Sequence, residues 1–369
     1  RILTAYLSKV LMRTHPADTQ SVMEKTELGM FLELQFKSLT PEVVKTVCDN
    51  ELYENVALVT DDTMADKLLT GHLNKIIETA VRAGMPMEKA IYCATWTPSR
   101  RMHLDDRGMI APGKIADFML LDSLDGIDPV VVYKKGECVY CKDEEACGAV
   151  EAAACSFPAS FYHTINCRPA EISDFVLKAE DPEAKWAEVN VMKIGTFGTA
   201  TTPVKRRVEV KDGVLDWKSA GLSLAVVFER YGKNGNVGYG LVEGALTKPG
   251  AVATTWSHDS HNLFVLGTDE NDMKLAQRRV WSSRGICGIR RRKVPGGGET
   301  YNRRHRFGSA IEVLGQELKE VRAAMEGLGY VNNNVIMSMS TLCLPVSPKL
   351  KLTDHGLFDG AGAGTCAVG

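Results

Sequence analysis

The order of apolar and polar positions over the first hundred residues predicts alternating helices and strands. Ser38–Val47 reads as a short helix, with Thr40 as its N-cap and Pro41 at its first position. Val56–Thr60 is apolar and β-branched and ends at two aspartates, which is typical of a buried strand in a parallel sheet. Such alternation predicts βα units and an α/β fold. Two further helices are predicted over Leu73–Ala83 and Met87–Ala94.

Beyond Pro98 the pattern changes to that of β structure. Turn-forming residues over Gly108–Gly113 come before two strand-like runs, Ala116–Leu121 and Pro129–Tyr133. Residues 136–158 have little periodicity and read as a linker. Further strands are predicted over Val189–Ile194, Arg207–Val210, Leu222–Phe228, Val252–Thr255 and Leu263–Leu266, with Asp212-Gly213 as a hairpin turn.

The C-terminal third contains the clearest helix and the least regular segment. Apolar residues recur at helical spacing through Ile311–Leu328, and Gly329 follows as a stop. Ser282–Gly308 is instead rich in arginine around Gly296–Gly298, and its apolar residues follow neither helical nor strand periodicity. A basic loop for phosphate or nucleic acid is one interpretation. A disordered surface loop or a local error in the reading frame is favoured, because the rest of the chain supplies no aromatic platform for bases.

Composition narrows the class of protein. The chain has 369 residues, 44% of them hydrophobic and 24% charged, which predicts a globular protein of two or three domains. A net charge of −2 offers no field for holding a polyanion, so nucleic acid is not expected as a partner. Apolar runs fall short of the ~20 residues that a membrane span needs. Ten cysteines without even spacing predict reduced thiols and a cytoplasmic location.

The two aspartates that follow the Val56–Thr60 strand are the first candidates for chemistry. Asp61 or Asp62, placed where a buried strand ends, could bind a divalent ion or carry a proton between water and a leaving group. The alternative is that Asp62 caps the following helix and Asp61 is merely solvated.

Histidines and cysteines supply the other candidates. His15 lies beside a proline and near an aspartate, so it is either a metal ligand or general base, or a structural loop residue. His258 and His261 lie three apart with acid and amide neighbours, which indicates a functional cluster or a hydrogen-bonded turn. None of the eight histidines forms His-x-His or His-Glu-x-x-His. Cys138-x-x-Cys141 superficially suggests zinc, but chance enrichment of cysteine in a linker is favoured.

Several of these segments together resemble the bacterial adenine deaminase family of the amidohydrolase superfamily. The element Gly108–Asp117 indicates only an amidohydrolase, whereas His258–Asn262 with its flanks resembles the C-terminal domain of the deaminases. The resemblance covers nearly all of the chain apart from residues 137–155 and 282–308. The segments that carry it are Val59–Asp66, Gly71–Asn74, Ala90–Pro98, Leu104–Asp117, Gly238–Ala253, Ser257–Asn262 and Leu344–Gly356.

The resemblance implies a multi-domain architecture. Residues 1–105 would form the last strands and helices of a metal-dependent hydrolase (β/α)8 barrel, and residues 106–140 the strands of a small β-sandwich. Residues 141–160 would be a linker, and residues 161–369 an α+β adenine deaminase C-terminal domain. The family's His-x-His, bridging glutamate and further histidine cannot be placed, so we expect an N-terminally truncated chain that begins near the sixth barrel strand.

The resemblance also implies a reaction. The family hydrolyses adenine to hypoxanthine and ammonia with metal-activated water, as in purine salvage, and its complete site holds two divalent ions (Mn²⁺ or Fe²⁺, or else Zn²⁺). Asp61 matches the metal-binding aspartate of the eighth strand and His15 the histidine region of the sixth. His258 and His261 are candidates for binding substrate. The alternatives are a dihydroorotase-like or hydantoinase-like cyclic amidohydrolase and a non-catalytic fragment, and a homodimer is an open expectation.

Overall fold

The computed structural model describes most of the chain in two compact units, Arg1–Ala154 and Cys155–Gly369. Helices and strands are mixed in both units, in agreement with the predicted α/β class. His15 and most of the arginine-rich segment lie outside the described residues. The described residues are 12–13, 18–143, 158–283, 288–290, 310–347, 349–359 and 364–366.

A parallel sheet organises the first unit. Its strands are β1 (Met12–Arg13), β2 (Leu32–Leu34) and β3 (Val56–Leu58), in the order β1-β2-β3. Their apolar side chains are fully buried against the helices where described, so the sheet gives the unit a rigid centre. The helices of this unit are α1 (Thr19–Glu27), α2 (Pro41–Asp49), α3 (Ala65–Leu68), α4 (Leu73–Arg82), α5 (Met87–Ala94) and α6 (Trp96–Arg101).

Local sequence explains where α2 begins. The hydroxyl of Thr40 accepts a hydrogen bond from the backbone N–H of Val43 at 3.3 Å, and Pro41 is the first helical residue, so the predicted cap is confirmed. Strand β3 ends two residues before the predicted Thr60. The backbone N–H of Val59 still donates to the carbonyl of Leu34 at 3.0 Å, so the two chains stay paired just beyond the strands.

A second, antiparallel sheet of the first unit corrects the prediction of a linker from residue 136 onward. Residues 137–141 form a strand instead, because Lys135 and Gly136 adopt left-handed backbone conformations (φ 53° and 80°) that make a tight hairpin. The cysteine-rich pattern of this strand obscured its period. The strands of the sheet are β4 (Phe118–Leu121), β5 (Pro129–Lys134) and β6 (Glu137–Cys141).

An eight-stranded sheet dominates the second unit. Its order is β14-β12-β13-β10-β11-β7-β8-β9, and all neighbours are antiparallel except β11 and β7. The predicted hairpin at Asp212-Gly213 is confirmed, since both residues have positive φ angles between β8 and β9. The strands are β7 (Trp186–Ile194), β8 (Thr201–Lys211), β9 (Val214–Leu215), β10 (Ser223–Phe228), β11 (Val237–Glu243), β12 (Ala251–Thr254), β13 (Leu263–Gly267) and β14 (Gly288–Arg290).

Three helices and a small antiparallel sheet complete the described part of the second unit. Helix α8 ends one residue before the predicted boundary, and Gly329 follows it with φ 84°, as a helix stop requires. Helix α7 was not predicted, because only Met273, Ala276 and Val280 form its buried apolar stripe. The elements are α7 (Glu270–Ser283), α8 (Ile311–Gly327), α9 (Val335–Ser340), β15 (Leu350–Thr353), β16 (Gly356–Asp359) and β17 (Gly364–Cys366).

Two further properties bear on the sequence predictions. Among the described helices, none combines the length and the apolar character needed to cross a membrane. Free thiols are present at Cys48, Cys93, Cys138, Cys167 and Cys343. Cys141 is disulfide-bonded, so the expectation of reduced thiols does not hold for this cysteine. Short 3₁₀ segments occur at Phe36–Ser38, Leu52–Glu54, Ala159–Tyr162, Ile172–Phe175 and Thr341–Cys343.

Candidate active site at the carboxyl edge of the parallel sheet

The carboxyl ends of the three parallel strands lie at one edge of the sheet. Gln35 follows β2 directly, and Asp61 comes three residues after the end of β3. The register pairs Leu34 with Leu58, so these two polar residues leave the sheet side by side. His15 follows the end of β1 by two residues in the sequence, but it lies outside the described residues.

Hydrogen bonds hold both carboxylate oxygens of Asp61. The Gln35 Nε2 donates to Asp61 Oδ2 at 3.1 Å, and the backbone N–H of Asp62 donates to Asp61 Oδ1 at 2.9 Å. Asp61 has a left-handed backbone (φ 58°), which a short polar side chain tolerates because it can bond to the adjacent backbone. The side chain is therefore fixed at the sheet edge and half-buried.

The surroundings of Asp61 distinguish it from its neighbour. Asp62 is exposed to solvent. The N-cap residues of the next two helices are Met64 and His72, and neither side chain makes a capping hydrogen bond, so Asp62 is not the N-cap residue of either helix. Asp66 in α3, five residues after Asp61 in the sequence, is a buried carboxylate that the sequence analysis did not single out.

Gln35 is the residue of this edge that sequence reasoning missed. It is 9% exposed and its amide reaches Asp61 across 26 residues of sequence. Strand β2 is only three residues long, so its alternation gives a weak pattern. The parallel pairing with β3 is the property that brings Gln35 into the site, and it is a long-range property.

The donor set at this edge has the chemistry that a divalent metal ion requires, but it is partial. Carboxylate oxygen and imidazole nitrogen suit Mn²⁺, Fe²⁺ and Zn²⁺, and Asp61 provides the oxygen. No group of three or more histidine, cysteine, aspartate or glutamate side chains in the described ranges could hold a metal. Cys138 is a free thiol and Cys141 is disulfide-bonded, so this pair gives the zinc hypothesis no support.

The histidine cluster of the second unit is a hydrogen-bonded turn. His258 is buried, its ring Nδ1 bonds to the hydroxyl of Ser340, and its backbone N–H donates to the carbonyl of the same serine at 3.2 Å. His261 is exposed, with φ 52°, and its ring centroid lies 6.2 Å from that of His258. The Ser257 hydroxyl closes the turn by donating to the carbonyl of Asn262 at 2.7 Å.

Comparison with known proteins defines the class of each part. Residues 30–142 match the model of the amidohydrolase family, which covers the β2–β3 edge with Gln35 and Asp61. Residues 198–293 and 308–363 match the model of the adenine deaminase C-terminal domain. The chain therefore matches the amidohydrolase family in its first part and the adenine deaminase C-terminal domain in its second.

Individual relatives agree with these two matches. The chain is 43% identical to adenine deaminase 2 of Oenococcus oeni over 97% of its own length and 62% of the relative's. It is also 43% identical to an adenine deaminase of Clostridium perfringens over 92% of this chain and 60% of that protein. The chain thus spans about three fifths of the length of these curated relatives.

Among solved structures the likeness is low. A β-aspartyl dipeptidase from Fervidobacterium islandicum AW-1 is 22% identical, covers 37% of this chain and 38% of its own, and has a TM-score of 0.29. No conclusion is based on it.

Proposed function

We propose that this chain supplies part of the catalytic site of a metal-dependent hydrolase that converts adenine and water into hypoxanthine and ammonia. The observation that carries the proposal is the position of Asp61. Its carboxylate is fixed at the carboxyl edge of a parallel sheet, within a stretch that matches the amidohydrolase family. The presence of an adenine deaminase C-terminal domain in the same chain favours adenine over a cyclic amide as the substrate.

The proposed architecture follows the family resemblance. Residues 1–105 are the last part of a (β/α)8 barrel, residues 106–140 belong to a β-sandwich, residues 141–160 link the two halves, and residues 161–369 are the C-terminal domain. In a barrel of this kind, side chains that follow the strands converge at one face, where loops are free to vary. The parallel register of β1, β2 and β3 supports this assignment.

Proton transfer is the chemical role that we assign to Asp61. Deamination forms a bond between the water oxygen and C6 of adenine and breaks the bond from C6 to the exocyclic nitrogen. One proton of the water ends on the departing ammonia and the other on the ring nitrogen N1. Asp61 takes a proton from the attacking water and delivers it to the departing nitrogen. General acid–base catalysis of this kind raises the rate by a factor of roughly 10²–10⁴.

Metal binding is the second role of this edge. Asp61 and His15 would be protein ligands of the divalent centre, which the resemblance implies to be dinuclear. When bound, a divalent ion would lower the pKa of water toward about 7, which would make a nucleophile available at neutral pH. The half-buried position of Asp61 lets a rigid carboxylate serve both roles, because the sheet beneath it is fully packed.

The test measures ammonia release from adenine with Mn²⁺. Because the chain spans about three fifths of its relatives, the assay uses this chain fused to the part of the Oenococcus oeni relative that it does not match. We expect the fusion to release ammonia and Asp61→Asn to lower kcat at least 100-fold, with the melting temperature changed by less than about 2 °C. Asp62→Asn, at the exposed neighbouring position, is the matched control and should retain activity.

Two outcomes would contradict the proposal. Unchanged deamination in Asp61→Asn would remove this carboxylate from the mechanism. Turnover of dihydroorotate or hydantoin without turnover of adenine would assign the site to a cyclic amidohydrolase instead.

A further inference from the structure

The contact between Gln35 and Asp61 joins two side chains that the sequence keeps 26 residues apart. Gln35 follows β2, which is buried, and its own side chain is 9% exposed. An ionised carboxylate only accepts hydrogen bonds, so the amide nitrogen of Gln35 must face it. Charge-assisted bonds of this kind are stronger than neutral ones and constrain geometry.

The two bonds to Asp61 fix the plane of its carboxylate. The Gln35 amide holds Oδ2, and the backbone N–H of Asp62 holds Oδ1. A carboxylate oxygen can accept more than one hydrogen bond, so the bond from Gln35 does not by itself block Oδ2 from a ligand or a proton. If the Gln35 amide is removed, only one of these two contacts, the hydrogen bond from the Asp62 N–H, still opposes rotation of the carboxylate about its bond to Cβ.

We propose that Gln35 is a positioning residue for the active site, because its side-chain amide sets the orientation in which Asp61 meets metal and water. This inference rests on the proposed function, since it assigns Gln35 a role only through Asp61. Partners that orient a metal ligand are typically worth 10- to 100-fold in activity or metal affinity when they are removed. Binding of adenine itself does not need this contact, so KM should change little.

Selective labelling makes the contact observable in the purified chain without metal or substrate. The chain contains four glutamines, at positions 20, 35, 277 and 316, so ε-¹⁵N-glutamine gives four side-chain amide signals. Gln35→Met identifies the signal of Gln35 by its loss. We expect Asp61→Asn to shift this signal and to leave the other three in place. Asp62→Asn keeps the backbone donor and should leave all four unchanged.

Activity in the fusion protein then separates positioning from structure. We expect Gln35→Met to lower kcat 10- to 100-fold while KM for adenine stays within about twofold. Gln277→Met is the matched control, because Gln277 is a fully buried glutamine of the second unit whose amide donates to the carbonyl of Arg168 at 3.1 Å. Its kcat per folded molecule should be unchanged, even where its melting temperature falls.

The possible results are distinct. Two results would overturn the positioning role and leave the proposed function standing. One is a Gln35 signal that does not shift in Asp61→Asn. The other is a Gln35→Met enzyme with normal kcat when the Asp61→Asn enzyme is inactive. A fusion that does not deaminate adenine, or an active Asp61→Asn enzyme, would overturn the proposed function and the role of Gln35 with it.

Discussion

Both units place polar side chains where strands end, but the two sets differ in how completely the chain surrounds them. Asp61 of the first unit is half-buried, and the hydrogen bonds to its carboxylate include those from the Gln35 amide and the backbone N–H of Asp62. Glu229 of the second unit is 5% exposed and directly follows β10. Its carboxylate accepts hydrogen bonds from four backbone N–H groups, those of Tyr231, Lys233, Asn234 and Gly235.

Asn262 is a second buried polar side chain of this unit, and both its oxygen and its nitrogen have hydrogen-bond partners. The Oδ1 of Asn262 accepts from the backbone N–H of Arg230 at 3.1 Å, and its Nδ2 donates to Asp354 Oδ1 at 3.2 Å. Asn262 is 4% exposed, so these bonds form away from water. They join the loop after β10, the loop after β12 and the turn after β15.

The difference indicates that the two sets of polar side chains have different roles, one in stability and the other in chemistry. Side chains that are buried and saturated by their own chain contribute to folding stability, because breaking their bonds leaves unpaired groups in the interior. A half-buried carboxylate that solvent and small molecules can reach is suited to chemistry. Substitutions of these buried, hydrogen-bonded side chains of the second unit should therefore cost stability, whereas substitution of Asp61 should affect mainly turnover.

The largest stability effect is expected where a charge is introduced into the saturated network. Asn262→Asp keeps the acceptor for Arg230 but places a second carboxylate about 3.2 Å from that of Asp354. We expect a loss of about 2–4 kcal/mol in the free energy of unfolding, measured by urea denaturation at pH 7.

A charge exchange supplies the control. Asp354→Asn in the same chain returns a donor to the position facing residue 262 and should restore stability to within about 1 kcal/mol of the wild type. A double variant no more stable than Asn262→Asp would show that this network does not depend on the pair.

Regular elements of the fold were predictable where one local pattern dominates. Helix α5 has the predicted bounds Met87–Ala94, and α8 differs from its prediction by one residue, since an apolar stripe defines both and Gly329 follows α8. Strand β6 and helix α7 were missed. In the first the cysteine-rich pattern obscured the period of the strand, and in the second the buried stripe has only three apolar residues.

The candidate site was predictable only in part, for a related reason. Asp61 was suggested by its position after an apolar strand, which is a local pattern. The bond from Gln35 depends on the pairing of β2 with β3, and the burial of His258 depends on Ser340, which lies 82 residues further along the chain. No local pattern contains such contacts, and the roles of His15, Asp61, His258 and His261 stay predictions.

Removing the charge of Glu229 tests whether saturation by backbone donors stabilises the second unit. Burial raises the pKa of this carboxyl, but the hydrogen bonds from Asn234, Lys233, Tyr231 and Gly235 together outweigh it and hold the pKa below its ordinary value. An amide cannot accept all four bonds. We expect Glu229→Gln to lose about 2 kcal/mol in the free energy of unfolding at pH 7.

The stability contribution of Glu229 should depend on pH in one direction, because its pKa is lowered in the folded state. Because the folded-state pKa is lowered, the contribution of Glu229 is complete above its unfolded pKa near 4.5 and is lost as pH falls through the folded value. The difference between wild type and variant should therefore shrink below about pH 4.5. Glu188→Gln, at an exposed ion pair with Lys205, is the control and should change stability by less than about 0.5 kcal/mol.

Lys351 is an exception among the buried polar side chains of the second unit. It is a buried amine whose charge is not balanced by a carboxylate within the described residues. It is 0% exposed, its Nζ donates to the carbonyl of Thr199 at 2.8 Å, and within the described residues it has no carboxylate partner. Burial lowers the pKa of Lys351 to about 8. We expect Lys351→Met, which conserves volume, to raise the free energy of unfolding at pH 7 by about 1 kcal/mol.

The advantage of this variant should disappear in alkali. With a lowered folded-state pKa, the lysine of the wild type destabilises the fold below pH 8, and stability returns between pH 8 and about 10.5, by up to about 3 kcal/mol. Urea denaturation at pH 7 and pH 10 measures this change. Lys349→Met, at an exposed lysine two residues away, should show no such crossover. Equal pH profiles of the wild type and Lys351→Met would contradict the prediction.

The smallest effect concerns the first unit and asks whether its polar side chains stabilise structure at all. The Thr40 hydroxyl accepts from the N–H of Val43, which has no partner within the first turn of α2. Thr40→Ala should lower the free energy of unfolding by about 1 kcal/mol in urea denaturation. Thr46→Ala is the matched control inside the same helix, where the hydroxyl donates to the carbonyl of Glu42 and alanine is the better helix former. A loss of equal size in both variants would mean that the N-cap contributes nothing specific. A larger loss in Thr40→Ala alone would show that the first unit also uses hydrogen-bonded polar groups for stability, so that the expected effect of Asp61 on turnover reflects the chemistry of its carboxylate rather than the unit in which it lies.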